Sequence, residues 1–310
     1  MARSDLDVVT GAFSFTGRAI AEELLQRGRR VRTLTRLDQA ADPLAARMER
    51  AALQFRDEGA LRDALAGAES LYNTYWVRFA HGETTFERAV ANTRVLLRAA
   101  DAAGVRRIVH LSVTNPSPDS PLPYFRGKAA AESAVRGAPL THAIVRPTLV
   151  FGPRDILVNN IAWGLRRTPV FPVAGDGRYC VQPVSVEDVA RICADAGAAD
   201  GNVVLDAAGP ETLSYEALVR LVASAVGRHV RIVHTSSNVV LAAARIVGTL
   251  RRDVFLTSDE LTGLQAELLV SGSPPLGTAG FRAWVAANGE RLGLGYVSEL
   301  ARNFRPYDPL

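Results

Sequence analysis

Short apolar runs alternate with longer amphipathic segments through the first half of the chain, and no other feature constrains the fold as strongly. Runs typical of buried strands lie at residues 7–10, 31–35, 53–55, 70–75, 108–112 and 141–146. Helical patterns lie between them at residues 17–27, 43–50, 61–65, 84–103 and 125–136. Strands that alternate with helices form parallel sheets covered on both faces, so the sequence predicts an α/β fold with a doubly wound parallel sheet.

The texture of the sequence changes after Pro147, where glycine and proline become frequent and the predicted helices are short. The sequence therefore predicts two regions: residues 1–150, which carry the sheet, and residues 151–310, a smaller mixed region that shares some elements with the first. Ligands of open α/β sheets bind beyond the carboxyl ends of the strands. We expect the second region to cover that edge and to shape a substrate pocket.

Composition excludes several classes of protein. Hydrophobic residues make up 48% of the 310 residues and charged residues 22%, which is typical of a globular chain rather than a disordered one. The net charge of +4 is small and the arginines are scattered, so we expect no nucleic-acid partner. Two cysteines are too few for a disulfide framework and favour a reducing, cytoplasmic location.

Membrane and metal signals are weak in this sequence. The first residues run into a strand pattern without a signal-peptide core, and the most apolar stretch, residues 239–250, is shorter than the ~20 residues of a spanning helix. With Arg245, Arg251 and Arg252 that stretch could rest on a membrane surface, although packing on its own domain is commoner. The five histidines show no metal-ligand spacing. We expect neither an integral membrane segment nor a metal site.

A glycine-containing turn follows the first predicted strand and opens the first helix, in the order Thr10-Gly11-Ala12-Phe13-Ser14-Phe15-Thr16-Gly17. One glycine suits a tight turn and the other close helix–strand packing, while the helix N-terminus offers N–H groups to a pyrophosphate. The turn therefore predicts a dinucleotide site. Ser14 stands where a glycine usually lets the backbone approach the phosphates. Its hydroxyl could bind a phosphate or its Cβ could displace the cofactor, and a turn that no longer binds dinucleotide is the alternative.

The end of the second predicted strand indicates which dinucleotide binds. Arg36 stands where an NAD site prefers a carboxylate and an NADP site prefers an arginine for the 2′-phosphate. Arg36 therefore favours NADP, with Arg18 in the first helix as a second positive charge. Asp38 keeps NAD as the alternative.

The chain holds 36 lysine and arginine residues, and Lys128 is the only lysine among them. It follows Tyr124 by four residues in a predicted helix, so the two side chains share one helical face. A tyrosine's ordinary pKa, near ~10, is too high for proton transfer at neutral pH, and an adjacent ammonium favours the phenolate. The pair predicts a tyrosine acid–base centre, and chance spacing of an exposed tyrosine and lysine is the alternative.

With these motifs the chain resembles an atypical or extended short-chain dehydrogenase/reductase. That superfamily includes NAD-dependent epimerases and dehydratases, NmrA-like proteins and the complex I accessory-subunit branch. The matching features reach to about residue 197: Thr10, Gly11, Gly17, Asp57, Asn92, Ser112, Tyr124, Lys128, Arg146-Pro147-Thr148, Phe151-Gly152-Pro153 and Val186-Glu187-Asp188-Val189-Ala190. The resemblance implies a Rossmann-type sheet with a smaller C-terminal substrate-binding region, NADP or NAD as cofactor, and a small-molecule substrate. It also implies a possible homodimer through the helices at 84–103 and 125–136.

The family's site residues carry over by position. The resemblance implies Tyr124 as the acid–base group, Lys128 as the residue that orients the ribose, and Ser112 or Thr114 as the hydroxyl that polarises the substrate oxygen. The cofactor-binding residues that it implies are Gly11, Phe13, Ser14, Phe15, Thr16, Gly17, Arg36, Asp57, Lys128 and Pro147. Asp57 would contact the adenine. Asn92 would support the active-site side, or would simply bond the backbone of an adjacent strand.

The sequence departs from the family pattern at residues 72–79, Tyr-Asn-Thr-Tyr-Trp-Val-Arg-Phe, where small residues usually lie beside the cofactor. These bulky groups either narrow the nicotinamide pocket, form one wall of a substrate pocket, or are simply buried strand aromatics. We expect an NAD(P)-dependent oxidoreductase or epimerase-type enzyme in which Tyr124 moves the proton on a carbonyl or carbinol. The alternative is a non-catalytic NADP-binding regulatory or scaffold protein of NmrA or complex I accessory type.

Overall fold

The computed structural model describes residues 4–36 and 41–304. This part of the chain divides into two compact units. The first unit comprises the described part of residues 1–147 together with residues 186–207, and the second comprises residues 148–185 and 208–304. The division after Pro147 lies three residues from the boundary expected near residue 150. Residues 186–207, which the sequence pattern groups with the second region, belong to the first unit.

The described residues contain thirteen strands and eleven α-helices. The strands are β1 (Leu6–Thr10), β2 (Arg30–Thr35), β3 (Glu49–Ala52), β4 (Ser70–Asn73), β5 (Arg107–Leu111), β6 (Thr141–Pro147), β7 (Leu149–Phe151), β8 (Val170–Ala174), β9 (Cys180–Val181), β10 (Pro183–Ser185), β11 (Val203–Ala207), β12 (Leu213–Ser214) and β13 (Arg231–Thr235). The helices are α1 (Phe15–Gln26), α2 (Glu58–Leu65), α3 (Phe86–Ala102), α4 (Pro123–Arg136), α5 (Leu157–Leu165), α6 (Val186–Ala198), α7 (Tyr215–Ala225), α8 (Ser237–Arg251), α9 (Ser258–Gln265), α10 (Phe281–Asn288) and α11 (Glu299–Asn303).

Seven strands of the first unit form one sheet in the order β3-β2-β1-β4-β5-β6-β11, and every neighbouring pair is parallel. Central strands bury aliphatic side chains completely, as Val8, Leu71 and Ile108 show. The chain winds outwards from β1 in both directions, which confirms the predicted doubly wound, Rossmann-type α/β fold. The order reverses between β1 and β4, and ligands of such sheets bind outside the carboxyl ends of the strands at that point.

Residues 186–207 belong to the first unit because they complete its sheet and cover one face. Strand β11 pairs with β6, and helix α6 packs against α1. The fully buried Arg107 of β5 donates from Nε to the Ala196 carbonyl at 2.7 Å and from Nη1 to the Gly201 carbonyl at 2.7 Å. Gly197 permits close packing, since a Cβ there would lie 2.0 Å from the Tyr72 hydroxyl.

The segment between β2 and α2 differs from its prediction. The expected helix at 43–50 is a short 3₁₀ turn, Pro43–Arg47, whose N-cap Asp42 accepts a hydrogen bond from the Leu44 N–H at 3.0 Å. The expected strand at 53–55 is wrong, because the strand is β3 and precedes it. Leu53 and Phe55 are buried as parts of a loop. A short apolar run thus indicated burial correctly but not conformation.

The second unit has its own core, formed where α5, α7 and α10 meet around Phe151. That ring packs edge-on against Phe281 at 5.1 Å between centroids, and both side chains are fully buried. Three two-stranded pairs surround this core: β7 with β10, β9 with β12, and β8 with β13. Helix α8 packs against β8. Helix α5 lacks a counterpart in the sequence prediction. Asp155 caps it, because its carboxylate accepts hydrogen bonds from the Leu157 N–H at 3.0 Å and the Val158 N–H at 2.6 Å.

Within the described ranges, no helix combines the length and the apolarity needed to cross a bilayer. The same residues contain no group of three or more His, Cys, Asp or Glu side chains that could hold a metal ion. Cys180 and Cys193 are both free thiols, and complete burial raises the pKa of Cys193.

Candidate functional site

The turn after β1 has the conformation that its glycine predicts. Gly11 has a φ of +66°, a left-handed conformation that side chains with a Cβ rarely adopt. Its N–H donates to the Leu34 carbonyl at 2.9 Å, and its own carbonyl accepts from the Ser14 N–H at 2.8 Å. These bonds tie the turn to β2 and direct the chain into α1.

Gly17 lies in the first turn of α1, directly against the bend. A Cβ at Gly17 would lie 2.3 Å from the Gly11 carbonyl oxygen and 2.9 Å from the Ser14 hydroxyl oxygen. Neither a backbone oxygen nor the helix can yield to such a contact. Only glycine therefore lets the helix pack on the turn.

The first turn of α1 can bind an anion. Helix α1 begins at Phe15, and the Ser14 side chain makes no capping hydrogen bond. The N–H groups of Phe15, Thr16 and Gly17 belong to the part of a helix that has no intrahelical acceptors, and such groups bind phosphate. Ser14 has a φ of −78°, which any residue adopts, so serine replaces the usual glycine without backbone strain. Phe13 is buried beneath the turn.

The two arginines that were expected to favour NADP differ in their surroundings. Arg18 pairs with Asp42 at 2.6 Å and with Glu22 at 2.9 Å, so its guanidinium is held within the chain. Arg36 directly follows β2 and is exposed. Asp38, the residue for which NAD remains the alternative cofactor, lies outside the described residues.

Asp57 has a local structural role. It is the N-cap of α2, and its carboxylate accepts a hydrogen bond from the Ala60 N–H at 2.8 Å. The residue is exposed. A cap of this kind satisfies one of the free N–H groups of the helix.

Lys128 is buried in α4, where only 3% of the residue is exposed. Its ammonium donates to the Leu111 carbonyl at the end of β5, at 2.9 Å, and lies 4.5 Å from the centroid of the Trp76 ring. Burial lowers the pKa of Lys128 to about 7, and the negative charge of Glu132 opposes this shift. The only lysine of the chain is therefore poised to lose its proton near neutral pH.

Tyr124 lies one helical turn before Lys128, and the lysine Nζ is 6.0 Å from the centroid of its ring. Aromatic rings surround the tyrosine: Trp76 at 6.3 Å, Phe86 at 5.9 Å and Phe125 at 5.5 Å between centroids. The residue is only partly buried. The structure thus brings together the tyrosine, the lysine and part of the bulky run at residues 72–79.

Trp76 covers the lysine because Gly127 makes room for it. A Cβ at Gly127 would lie 3.2 Å from the nearest carbon of the indole. The indole Nε1 is buried and has no hydrogen-bond partner among the described residues. Of the alternatives for this aromatic run, the structure excludes a purely buried strand role for Trp76, since it follows β4 and contacts Lys128.

A buried polar cluster near Lys128, which the sequence did not predict, comprises Thr10, Asn73 and His110. The Asn73 amide contacts His110 Nδ1 at 3.1 Å, and its carbonyl oxygen accepts from the Thr10 hydroxyl at 3.3 Å. Burial, with the positive charge of Lys128, lowers the pKa of His110 to about 3. His110 is therefore neutral at pH 7 and lies fully buried in the core.

Glu132 is a charged neighbour of Lys128 that sequence reasoning missed. It is 1% exposed, and its carboxylate accepts two hydrogen bonds from Arg146, at 2.8 and 2.7 Å, and one from Arg136 at 3.0 Å. These arginines hold the pKa of Glu132 below its ordinary value despite burial. Its spacing of four residues from Lys128 was the available signal, because that spacing places both side chains on one helical face.

The two candidate hydroxyls differ in their surroundings. Ser112 is buried, and its hydroxyl lies beside the Glu132 carboxylate without meeting hydrogen-bond geometry. Thr114 is fully buried, and its hydroxyl has no hydrogen-bond partner in the described part of the chain. The Thr114 N–H donates to the carbonyl of Pro147, at the end of β6, at 3.0 Å. Thr114 therefore retains an unused hydroxyl at the carboxyl edge of the sheet.

The amide nitrogen of Asn92 bonds a side chain rather than the backbone of an adjacent strand. It donates to the Tyr75 hydroxyl at 2.9 Å. Tyr75 packs on Phe55 with ring centroids 4.8 Å apart. Asn92 thus fixes the aromatic residue next to Trp76.

Comparisons with known proteins agree with this geometry. A family model described as NAD(P)H-binding matches residues 11–200. The chain is 38% identical over 175 residues to sterol demethylase protein B of Methylococcus capsulatus, a match that covers 48% of this chain and 52% of that protein. It is 28% identical over 171 residues to the mitochondrial NADH dehydrogenase (ubiquinone) 1 alpha subcomplex subunit 9 of Arabidopsis thaliana, covering 54% and 42%. The chain spans about half the length of these curated relatives.

A solved structure shares the fold. The NADPH-dependent quinone oxidoreductase QOR2 of Escherichia coli, complexed with NADPH, superposes with a TM-score of 0.73 at 21% identity, covering 91% of this chain and 99% of that one. The family match spans more than half of the chain and confirms the resemblance to atypical short-chain dehydrogenases/reductases. The chain therefore belongs to the NAD(P)H-binding family.

Proposed function

We propose that this chain is an NADP-dependent oxidoreductase or epimerase-type enzyme in which Tyr124 exchanges a proton with a substrate carbonyl or carbinol oxygen. One observation carries the proposal: the only lysine of the chain is buried one turn from Tyr124, with its Nζ 6.0 Å from the tyrosine ring. A buried charge is costly and is kept where chemistry needs it. When bound, the nicotinamide supplies or accepts the hydride.

The residues around Tyr124 would assist the proton transfer and orient the substrate oxygen. An ammonium at Lys128 favours the phenolate form of the tyrosine. Because the pKa of Lys128 is lowered to about 7, Lys128 can itself release and regain a proton at neutral pH. Thr114 is the better candidate for the hydroxyl that orients the substrate oxygen, since Ser112 already lies beside Glu132.

The dinucleotide would lie across the turn after β1. The N–H groups of Phe15, Thr16 and Gly17 would bind the pyrophosphate, with Ser14 as a further donor. The position of Arg36 directly after β2 supports NADP over NAD. Arg18 is paired with two carboxylates, so it gives the NADP assignment less support. Gly11, Phe13 and Pro147 would line the site.

The adenine contact of Asp57 belongs to the same proposal. The carboxylate would bind the adenine while it continues to cap α2. It can do both, because its bond to the Ala60 N–H occupies only part of its hydrogen-bond accepting capacity. Asp57→Asn would keep a capping oxygen and remove the charge.

The substrate class follows from the side chains beside Tyr124. Trp76 and Phe86 supply an apolar wall on one side of the tyrosine. A small apolar molecule with a carbonyl or carbinol group fits such a surface better than a charged sugar nucleotide. The relative named as a sterol demethylase protein supports an apolar substrate.

The remaining expectations are part of this proposal. Residues 151–310 would bind the substrate, and α3 and α4 would form the surface of a homodimer. Free Cys180 and Cys193 support a reducing compartment such as the cytoplasm.

A second candidate function is a non-catalytic, NADP-binding scaffold or regulatory protein. Trp76 favours it, because the indole covers the Lys128 ammonium, which must be reached by a ribose hydroxyl in a catalytic complex. One relative carries the name of a complex I subunit. In this case the chain would bind NADPH and turn over no substrate.

Tyr124→Phe tests the proposal, with Tyr179→Phe as the matched control. The Tyr179 hydroxyl is buried in the second unit and has no hydrogen-bond partner among the described residues. NADPH oxidation is measured with a panel of apolar ketones and quinones, and NADPH affinity by calorimetry. We expect Tyr124→Phe to reduce kcat by about 100-fold or more while NADPH affinity stays nearly constant. Undiminished turnover in Tyr124→Phe would overturn the acid–base role, and NADPH binding without turnover by the parent would support the scaffold.

A further inference from the structure

Helix α8 carries its large apolar side chains on the outside. Val239, Ile246 and Leu250 are 52%, 63% and 77% exposed. With the exposed Ala242 they recur at spacings of three and four residues, so they form one continuous stripe along the helix. We call these four residues the outer stripe. An ordinary surface helix has its apolar stripe on the opposite side.

The inward face of α8 carries the two buried residues of the helix, Ala244 and Gly248. A Cβ at Gly248 would lie 2.6 Å from the carbonyl oxygen of Asp253, in the turn that ends the helix, so that position admits no larger side chain. Val240, Leu241 and Val247 are partly buried, and the most exposed apolar side chains of the helix are those of the outer stripe.

An aromatic and arginine-rich surface continues from the C-terminal end of the outer stripe. The guanidinium of Arg251, next to Leu250, lies 4.6 Å from the centroid of the Trp163 ring. Arg167 lies 4.8 Å from the same ring and donates to the carbonyl of Leu294, whose side chain is 64% exposed. Tryptophan, arginine and exposed leucine together are typical of surfaces that contact a lipid interface.

Helix α8 contributes only positive charge to this surface. Residues 237–252 contain no aspartate or glutamate, and their three arginines, Arg245, Arg251 and Arg252, are all exposed. Arg245 directly precedes Ile246 and Arg251 directly follows Leu250, so each of these two apolar residues has a positive charge next to it in the chain. The nearest acidic residue in sequence, Asp253, is buried and accepts from the Tyr296 hydroxyl at 2.6 Å.

We infer that the outer stripe of α8 docks on an anionic phospholipid bilayer surface. Its apolar side chains would enter the interface while the flanking arginines contact lipid phosphates. A second copy of the chain is a poorer occupant, because a symmetric contact through this face would bring arginines against arginines. This inference goes beyond the proposed enzymatic function and does not depend on it.

Vesicle flotation with the full chain tests the inference. The probes are phosphatidylcholine vesicles, with and without one third phosphatidylglycerol. We expect binding to the anionic vesicles and binding about tenfold weaker to the neutral ones, since the arginines supply much of the attraction. The double variant Ile246→Ser/Leu250→Ser should lose about tenfold in affinity for the anionic vesicles.

The matched control is Val204→Ser/Leu276→Ser, which removes two other exposed apolar side chains, 42% and 40% exposed. It should bind vesicles as the parent does. The α8 variant should keep the parent's melting temperature and NADPH affinity, so misfolding and loss of the cofactor site are separated from loss of docking. Equal vesicle binding by parent and α8 variant overturns the inference. It is also overturned if the parent ignores vesicles but forms a dimer that Ile246→Ser/Leu250→Ser dissociates.

Discussion

The helices α4 and α8 depart from the usual amphipathic pattern in opposite directions. Helix α4, in the first unit, buries Lys128 and Glu132, which are 3% and 1% exposed. Helix α8, in the second unit, exposes Ile246 and Leu250 at 63% and 77%. Burying ionised groups opposes folding, and leaving a row of large apolar groups exposed forgoes the stabilisation that their burial would give, so neither pattern arises from stability alone.

The difference between the two helices separates two kinds of function. Buried charges lose water and are held by fixed partners, as Lys128 is by the Leu111 carbonyl, which suits proton transfer. Exposed apolar residues keep their affinity for other apolar surfaces, which suits docking. We therefore assign the chemistry to α4 and a contact surface to α8. Paired substitutions, one in each unit, test this assignment.

Alanine substitutions of two glycines should differ most strongly in their effect on NADPH affinity. Gly17→Ala should weaken NADPH binding about 100-fold, or about 2.7 kcal/mol, because its Cβ would displace the turn that holds the phosphates. Gly248→Ala in α8 creates a similar backbone contact, at 2.6 Å from the Asp253 oxygen. Both should lower the free energy of unfolding by about 2 kcal/mol. Urea unfolding and NADPH calorimetry measure the two effects, and equal NADPH affinities would contradict a phosphate role for the turn.

Exchanging the lysine of α4 for arginine and an arginine of α8 for lysine should have different effects on kcat. Lys128→Arg should lower kcat about 100-fold, because the broad guanidinium does not fit between the Leu111 carbonyl and Trp76 and cannot release a proton. Arg245→Lys, on the exposed surface of α8, should leave kcat unchanged. Steady-state NADPH oxidation is the measurement. Full activity of Lys128→Arg would show that the lone lysine reflects arginine-rich codon usage only.

A smaller difference is expected between the free energies of unfolding of variants in the two helices. Glu132→Gln should reduce the free energy of unfolding by about 2 kcal/mol, because it leaves Arg146 with a neutral partner in a mostly buried site. Leu250→Gln should change it by less than about 0.5 kcal/mol, since that side chain is exposed. Urea denaturation of both variants provides the values. A destabilisation by Leu250→Gln as large as that by Glu132→Gln would show that α8 is packed rather than free.

Local sequence patterns predicted the parts of the molecule that depend on neighbouring residues. The parallel sheet follows from alternating runs, the turn follows from Gly11 and Gly17, and the Tyr124–Lys128 proximity follows from helical spacing. The strand expected at 53–55 failed because burial of Leu53 and Phe55 does not require extended pairing.

Contacts between distant segments were beyond sequence reasoning. His110 meets Asn73 through the register of β4 and β5, and Glu132 meets Arg146 across a helix and a strand. No local pattern encodes such a register. The periodicity of α8 likewise shows that an apolar stripe exists, but only the exposure of Val239, Ile246 and Leu250 in the structure shows that the stripe faces outwards.

The buried amine of Lys128 also determines a pH dependence of stability. Its pKa is lowered to about 7 in the folded chain, whereas an unfolded chain keeps an ordinary lysine pKa near ~10.4. Between these values the unfolded chain binds more protons than the folded chain. The free energy of unfolding should therefore rise with pH in this window, by up to roughly 1.4 kcal/mol per pH unit, and the cost of burial is complete below it.

One spectroscopic titration tests the central claim, that α4 buries an ammonium beside Tyr124, most directly. Because Lys128 is the only lysine, protein labelled with carbon-13 at the lysine ε position gives a single lysine resonance. The account predicts that this resonance titrates at a pH of about 7 in the protein without added cofactor. Titration at the ordinary lysine value, near ~10.4, would show a solvated amine and would contradict the account.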